Sequence, residues 1–197
     1  MKRKKKLFLI LVMFLLITSG VKIVENKNGV VTAFVASASV SSPETKEQAQ
    51  LQKTASVAAS TAKTLKSYLE NKNHPGFLSV ALAIENSCRS YDLPFETVLA
   101  IAIFESGYGE SDIAKQKRNF FGIAAYDESP ESASDFSTLT LQEAIDMQIL
   151  LLKRDYFTKY RNLYEISRVY CRKSDLWLEE VEWLIHNYVN FEKEVTK

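Results

Sequence analysis

The sequence predicts a mainly helical domain with one short irregular lobe, set behind an N-terminal membrane segment and a stalk. Three observations point there. The run from Val98 to Phe104 is apolar without a break, which is the mark of a helix buried on all sides. Helix-start and helix-stop residues recur from His74 to the C-terminus, and five cations ahead of an apolar stretch open the chain.

The elements follow in order. Met1-Lys-Arg-Lys-Lys-Lys6 precedes an apolar run from Leu7 to Ile17, the charge order of an export signal whose start stays in the cytoplasm. Residues 1–24 are therefore expected to act as a signal or membrane anchor. A retained anchor, placing the rest of the chain outside the cytoplasm, is preferred to cleavage and secretion. Residues 25–73, rich in Ser, Thr, Ala, Lys and Gln, read as a linker or partly helical stalk. Leu51, Ala55, Ala58, Ala62, Leu65 and Leu69 form a heptad-like seam that is mostly alanine. That favours a stalk helix lying on its own domain over a coiled coil. Anchor and stalk are also the places where a small membrane-protein partner would dock.

The compact domain spans residues 74–197. Val80, Ala81, Ile84 and Cys88 give helical spacing over Phe77–Tyr91. Asp92-Leu-Pro94 supplies a cap and a first-turn proline for the apolar helix, which Gly107 is placed to stop. Thr140 and Glu143 form a capping box. Two further helices are expected, Leu163–Tyr170 and Leu176–Val189, the latter with Trp177, Val181, Leu184, Ile185 and Tyr188 on one side. Ahead of the capping box, Lys117–Leu139 reads as the irregular lobe.

Composition excludes several classes. With 46% hydrophobic and 11% aromatic residues the chain is not a disordered one. Subtracting the five cations of the first six residues from the overall charge of +1 leaves −4 for the remainder, so no nucleic-acid surface is expected. Two cysteines, Cys88 and Cys171, are too few for a disulfide framework, and buried free thiols are the preferred reading. The two histidines, His74 and His186, form no ligand cluster, so neither metal nor cofactor is expected.

One carboxylate, Glu105, continues the stripe of Ile101 and Ala102 at the end of the apolar helix. Its side chain should point where the core points. Burial and the negative end of the helix dipole both disfavour its charge, raising its pKa. An acid that keeps its proton near neutrality can protonate a leaving oxygen, the general-acid role in glycoside cleavage. The competing reading is a helix-ending Glu turned into solvent.

The stretch Glu105-Ser-Gly-Tyr-Gly109, then Ser111-Asp-Ile-Ala114, Asn119-Phe-Phe-Gly-Ile123 and Ala125-Tyr126-Asp127 resembles the signature of the bacterial peptidoglycan endo-β-N-acetylglucosaminidases, glycoside hydrolase family 73, found in flagellar and autolysin glucosaminidase domains. Tyr170, followed by Cys171-Arg-Lys-Ser-Asp175, is similar to that family's late tyrosine element. The resemblance spans Phe77 to Tyr188. It implies a lysozyme-like fold and hydrolysis of the β-1,4 bond after N-acetylglucosamine in peptidoglycan glycan strands, with Glu105 as proton donor. Tyr108 stands where the family usually has Trp, and Ala124 where the autolysin branch often has Gly. Tyr108, Asn119, Phe120, Gly122 and Tyr126 are the candidate sugar-binding residues, with Phe121 assigned to the core. For the second catalytic group Asp127 is preferred over Glu128, Glu131 and Asp135; Tyr170, positioning the substrate's own acetamido group, offers a third route. A lytic transglycosylase on a related fold and an inactive, membrane-tethered glycan-binding scaffold are the rival functions.

Overall fold

The computed structural model describes residues 21–25, 31–35, 43–125, 129, 132–171 and 173–197. The chain divides into two units, Met1–Lys53 and Thr54–Lys197. In the first, β1 (Val21–Glu25) and β2 (Val31–Val35) pair antiparallel, Val21 opposite Val35 and Ile23 opposite Ala33. The two strands fall on the last residues assigned to the anchor and the first of the linker or partly helical stalk. Both segments are rich in Val, Ile, Thr and Phe, which suit a pleated strand. The intervening sequence contains Asn28-Gly29, a hairpin dipeptide. Residues 1–20, which carry most of the expected anchor, lie outside the described residues; no described helix is long and apolar enough to cross a membrane.

Helix α1 (Pro43–Asn71) begins in the first unit and ends in the second. Its seam is buried only at the C-terminal end: Leu65, Tyr68 and Leu69 enter the core, whereas Leu51 and Val57 are exposed. The second unit continues with a 3-10 turn, Pro75–Phe77, then α2 (Leu78–Tyr91), α3 (Phe95–Ser106), α4 (Asp112–Lys117) and α5 (Leu141–Leu152). A π turn, Lys153–Phe157, α6 (Leu163–Tyr170) and α7 (Ser174–Val195) complete it. The chain is mainly helical.

Helix α3 is the centre. Every residue from Val98 to Ile103 is buried, because α2 packs on one side and α7 on another, while α2 also meets α5 and α7 meets α6. Its start departs from expectation. Asp92 is the left-handed C-cap of α2 (φ 54°), its N–H bonding the Cys88 carbonyl, and Pro94 occupies the N-cap of α3 without a side-chain cap. Aspartate tolerates the left-handed region better than most residues, so it serves the helix that ends rather than the one that begins. Gly107 ends α3 at φ 55°, and the Thr140–Glu143 box opens α5.

Around the end of α3 the backbone is strained. Tyr108 (φ 57°), Arg118 (φ 51°) and Ala124 (φ 56°) are non-glycine residues in the left-handed region. Such conformations cluster at functional sites and are held there by surrounding bonds. Ala124 is held through its carbonyl by the Ser132 hydroxyl at 2.9 Å. A side chain in this region costs about 1 kcal/mol. Ala124→Gly is therefore expected to stabilise the protein by about 1 kcal/mol. The midpoint of urea unfolding should rise accordingly, and an unchanged or lower midpoint would remove strain from the account of this loop.

Candidate active site

Glu105 occupies the last turn of α3, and Ser106 shapes the exit. The buried Ser106 hydroxyl donates to the Ala102 carbonyl at 2.6 Å and accepts from the Gly109 N–H at 2.9 Å, and the Ser106 carbonyl accepts from the Ser111 N–H at 2.9 Å. The chain is thus folded back tightly behind the acid. Ser111 in turn caps α4, accepting from the Ala114 N–H.

The carboxyl is largely sheltered. Its Oε1 accepts from the Trp177 indole N–H at 2.7 Å, across 72 positions of sequence. Its Oε2 faces Gly122, where a Cβ would come within 3.1 Å of it, at a backbone φ of +63°. Gly122 therefore has two reasons to be glycine: conformation and close approach to the acid. Burial pushes the Glu105 carboxyl up to about 7, against the opposing pull of the Trp177 hydrogen bond. A rise of this size represents roughly 3 kcal/mol at about 1.4 kcal/mol per pH unit. Desolvation thus outweighs a charge-assisted hydrogen bond, typically about 1.5–3 kcal/mol. The group can hold a transferable proton close to neutrality.

Tyr170 packs beside this pair. Its ring lies 5.0 Å from that of Trp177 and 4.9 Å from that of Tyr156, and its hydroxyl donates to the Phe121 carbonyl at 2.7 Å. Burial first, then the charge of Glu105, raises the phenol well above its ordinary range. The phenol thus stays protonated and ties the peptide preceding Gly122 to α6.

Two expected sugar contacts prove to be internal. Asn119 is 2% exposed. Its Nδ2 donates to the carbonyls of Ile123 (2.8 Å) and Ser134 (3.1 Å), and its Oδ1 accepts from the Ile123 N–H at 2.9 Å. A side chain whose amide is spent on backbone in this way clamps the loop and has little left to offer a ligand. Phe120 is also buried, edge-on to Phe77, with its N–H bonded to Gln148 Oε1 at 2.8 Å. It joins Phe121 in the core. Tyr108 lies at the exit of α3, one ring face covered by His74 at a centroid distance of 4.0 Å and an interplanar angle of 7°. Tyr126, Asp127, Glu128 and Glu131 lie outside the described residues. Asp135 is exposed, its carboxylate accepting from the Ser137 N–H at 2.8 Å; hydrogen bonding by the Ser137 side chain first, and by its N–H second, lowers its pKa.

Two residues gain roles not assigned from the sequence: Trp177, expected only on the packed side of the last helix, and Gln148. Trp177 is 1% exposed, and a buried indole needs an acceptor. Gln148 is fully buried within the stripe Ala144, Ile145, Ile149 and Leu152; besides receiving Phe120, it donates to the carbonyls of Arg118 and Ala144, each at 2.8 Å. An amide inside an apolar stripe is a visible sequence signal for a buried clamp. Cys88 and Cys171 are free thiols, the first buried in α2 and the second half-buried just beyond α6. Among the described residues no group of three or more His, Cys, Asp or Glu could hold a metal ion.

A model of the family described as Glucosaminidase, mannosyl-glycoprotein endo-beta-N-acetylglucosaminidase, matches residues 81–188. No curated protein and no solved structure matches the chain.

Proposed function

Because the chain belongs to the glucosaminidase family and is a glycoside hydrolase of the endo-β-N-acetylglucosaminidase type, we propose that Glu105 is its general acid in peptidoglycan. The bond cut is the β-1,4 linkage after N-acetylglucosamine, and the domain, lysozyme-like in fold, is held outside the cytoplasmic membrane, where such strands lie. The observation that carries this reading is the sheltered carboxyl of Glu105, pushed up to about 7 between the Trp177 indole and Gly122. In the reaction the Glu105 proton passes to the departing glycosidic oxygen as the bond from the anomeric carbon breaks, and charge builds on the sugar ring. Water then completes hydrolysis, leaving a reducing N-acetylglucosamine end.

The second group is assigned to Asp127, the acid inside the family-like Ala125-Tyr126-Asp127 element. Asp127→Asn should lower kcat by roughly a hundredfold or more, the contribution expected of a positioned carboxylate. Undiminished turnover would shift the role to the substrate's acetamido group, with Tyr170 beside it. The reaction itself is tested by digesting purified wall and analysing the products. Reducing N-acetylglucosamine ends are expected; anhydromuramic ends would mean a lytic transglycosylase, and no new ends a non-catalytic scaffold.

A further inference from the structure

A cavity of about 320 Å³ opens between the C-terminal end of α1 and the last turns of α7. Tyr68, Lys72, Asn187, Asn190, Phe191 and Glu194 line it. It is distinct from the acid site: Asn187 and Asn190 follow Trp177 by ten and thirteen residues on one helix, roughly 15–20 Å at 1.5 Å per residue. We propose that this groove is a second, non-catalytic saccharide site that holds an amino-sugar unit of the same glycan. The choice of ligand rests on the function proposed above; the existence of the site rests on the groove.

Four features select a neutral sugar. The first is an exposed indole: Trp183 is 55% exposed, on the turn of α7 beside the cavity, its carbonyl accepting from Asn187 Nδ2 at 2.9 Å. An exposed aromatic face offers an apolar surface to the C–H face of a pyranose, with a polar edge for its hydroxyls. The second is the amides. Asn187 and Asn190 each carry donor and acceptor atoms, as hydroxyl and acetamido groups require. They are already ordered, Asn187 Oδ1 by Lys72 Nζ at 3.4 Å and Asn190 Nδ2 by His186 Nε2 at 2.7 Å.

The third is charge. Lys72 and Glu194 stand at the same cavity with opposite signs, so neither a simple anion nor a cation is favoured. The Lys72 ammonium lies 5.6 Å from the centre of the Tyr68 ring and 5.7 Å from that of Trp183, which holds it in place between them. The fourth is size. Small-molecule sites run from about 300 to 1,000 Å³, so this cavity takes one ring rather than a chain. A polymer held at a second point stays with the enzyme between cleavages, because the second contact is intramolecular.

The two tryptophans of the chain make the test direct. In the full-length Glu105→Gln protein, the two indole N–H resonances are assigned with Trp183→Phe and followed during titration with a soluble peptidoglycan tetrasaccharide. The Trp183 resonance should move and saturate, separately from that of Trp177. In the same background, Trp183→Ala and Asn190→Ala should each weaken binding to insoluble peptidoglycan by about tenfold or more, the loss of a second attachment point. With Glu105 intact, both variants should cleave the soluble tetrasaccharide at the parent rate. A Trp177 resonance that moves while Trp183 stays still, or variants that bind wall like the parent, would overturn the second site and leave the catalytic reading standing. If neither resonance moves and the parent cleaves no wall, both readings fall together.

Discussion

Replacing Glu105 by glutamine is expected to lower kcat by about a thousandfold, within the range usual for loss of a general acid, while the fold survives. Glutamine is nearly the same shape, and its side-chain oxygen can keep the bond from the Trp177 indole, 2.7 Å in the parent. What it lacks is the proton. The same change carries a stability signature of definite sign. The folded carboxyl titrates near 7, above its ordinary 4.5, so between these values the native state binds more protons than the unfolded chain. Stability therefore falls as pH rises through that window, by up to about 3 kcal/mol, and stays low above it. The glutamine variant has no such decline. It should match the parent near pH 4 and unfold at higher temperature than the parent near pH 8, by several degrees for a chain of this size. Parent turnover should decline above about pH 7 as the acid loses its proton. Full wall digestion by the variant, or pH–stability curves that superimpose, would refute the assignment.

Local chemistry was legible. The unbroken apolar run of α3, the stop at Gly107 and the Thr140–Glu143 box depend on neighbours within a turn or two, and the structure has all three. The inward aim of Glu105 followed from its place in the stripe. Contacts across long sequence separations were not legible. Trp177 reads as one more core residue of α7 until α3 and α7 are packed together and its indole meets the acid. The burial of Asn119 and Phe120 is hidden from the sequence for a related reason. A motif places residues near a site, but only the folded loop shows that the Asn119 amide bonds backbone and that Phe120 is turned inward. Asp92 suits either end of a short connection by its side chain, and only its backbone φ of 54° assigns it to the helix that ends. The β1–β2 pair is not legible because the Ser-, Ala- and Lys-containing sequence around it reads as a linker.

Trp177 provides the second large effect, and two substitutions separate its two roles. Trp177→Ala removes a fully buried indole from the contact of α3 with α7, and a cavity of that size typically costs about 3–5 kcal/mol. Against a total of about 5–15 kcal/mol this variant should be severely destabilised or unfolded. Trp177→Phe keeps most of the packing against Tyr170, whose ring lies 5.0 Å away, and against Phe104, edge-on at 6.5 Å. It deletes the indole N–H that bonds Glu105 Oε1. That bond favours the ionised carboxylate, since the Trp177 contribution lowers a pKa that burial has raised. Without it the acid should hold its proton to higher pH, and the alkaline limb of the pH–rate profile should move upward from its parent position. A purely structural role would lower Tm and leave the limb where it was. A stably folded Trp177→Phe enzyme with an unmoved limb would therefore show that the indole only fills space, and that burial alone sets the acid.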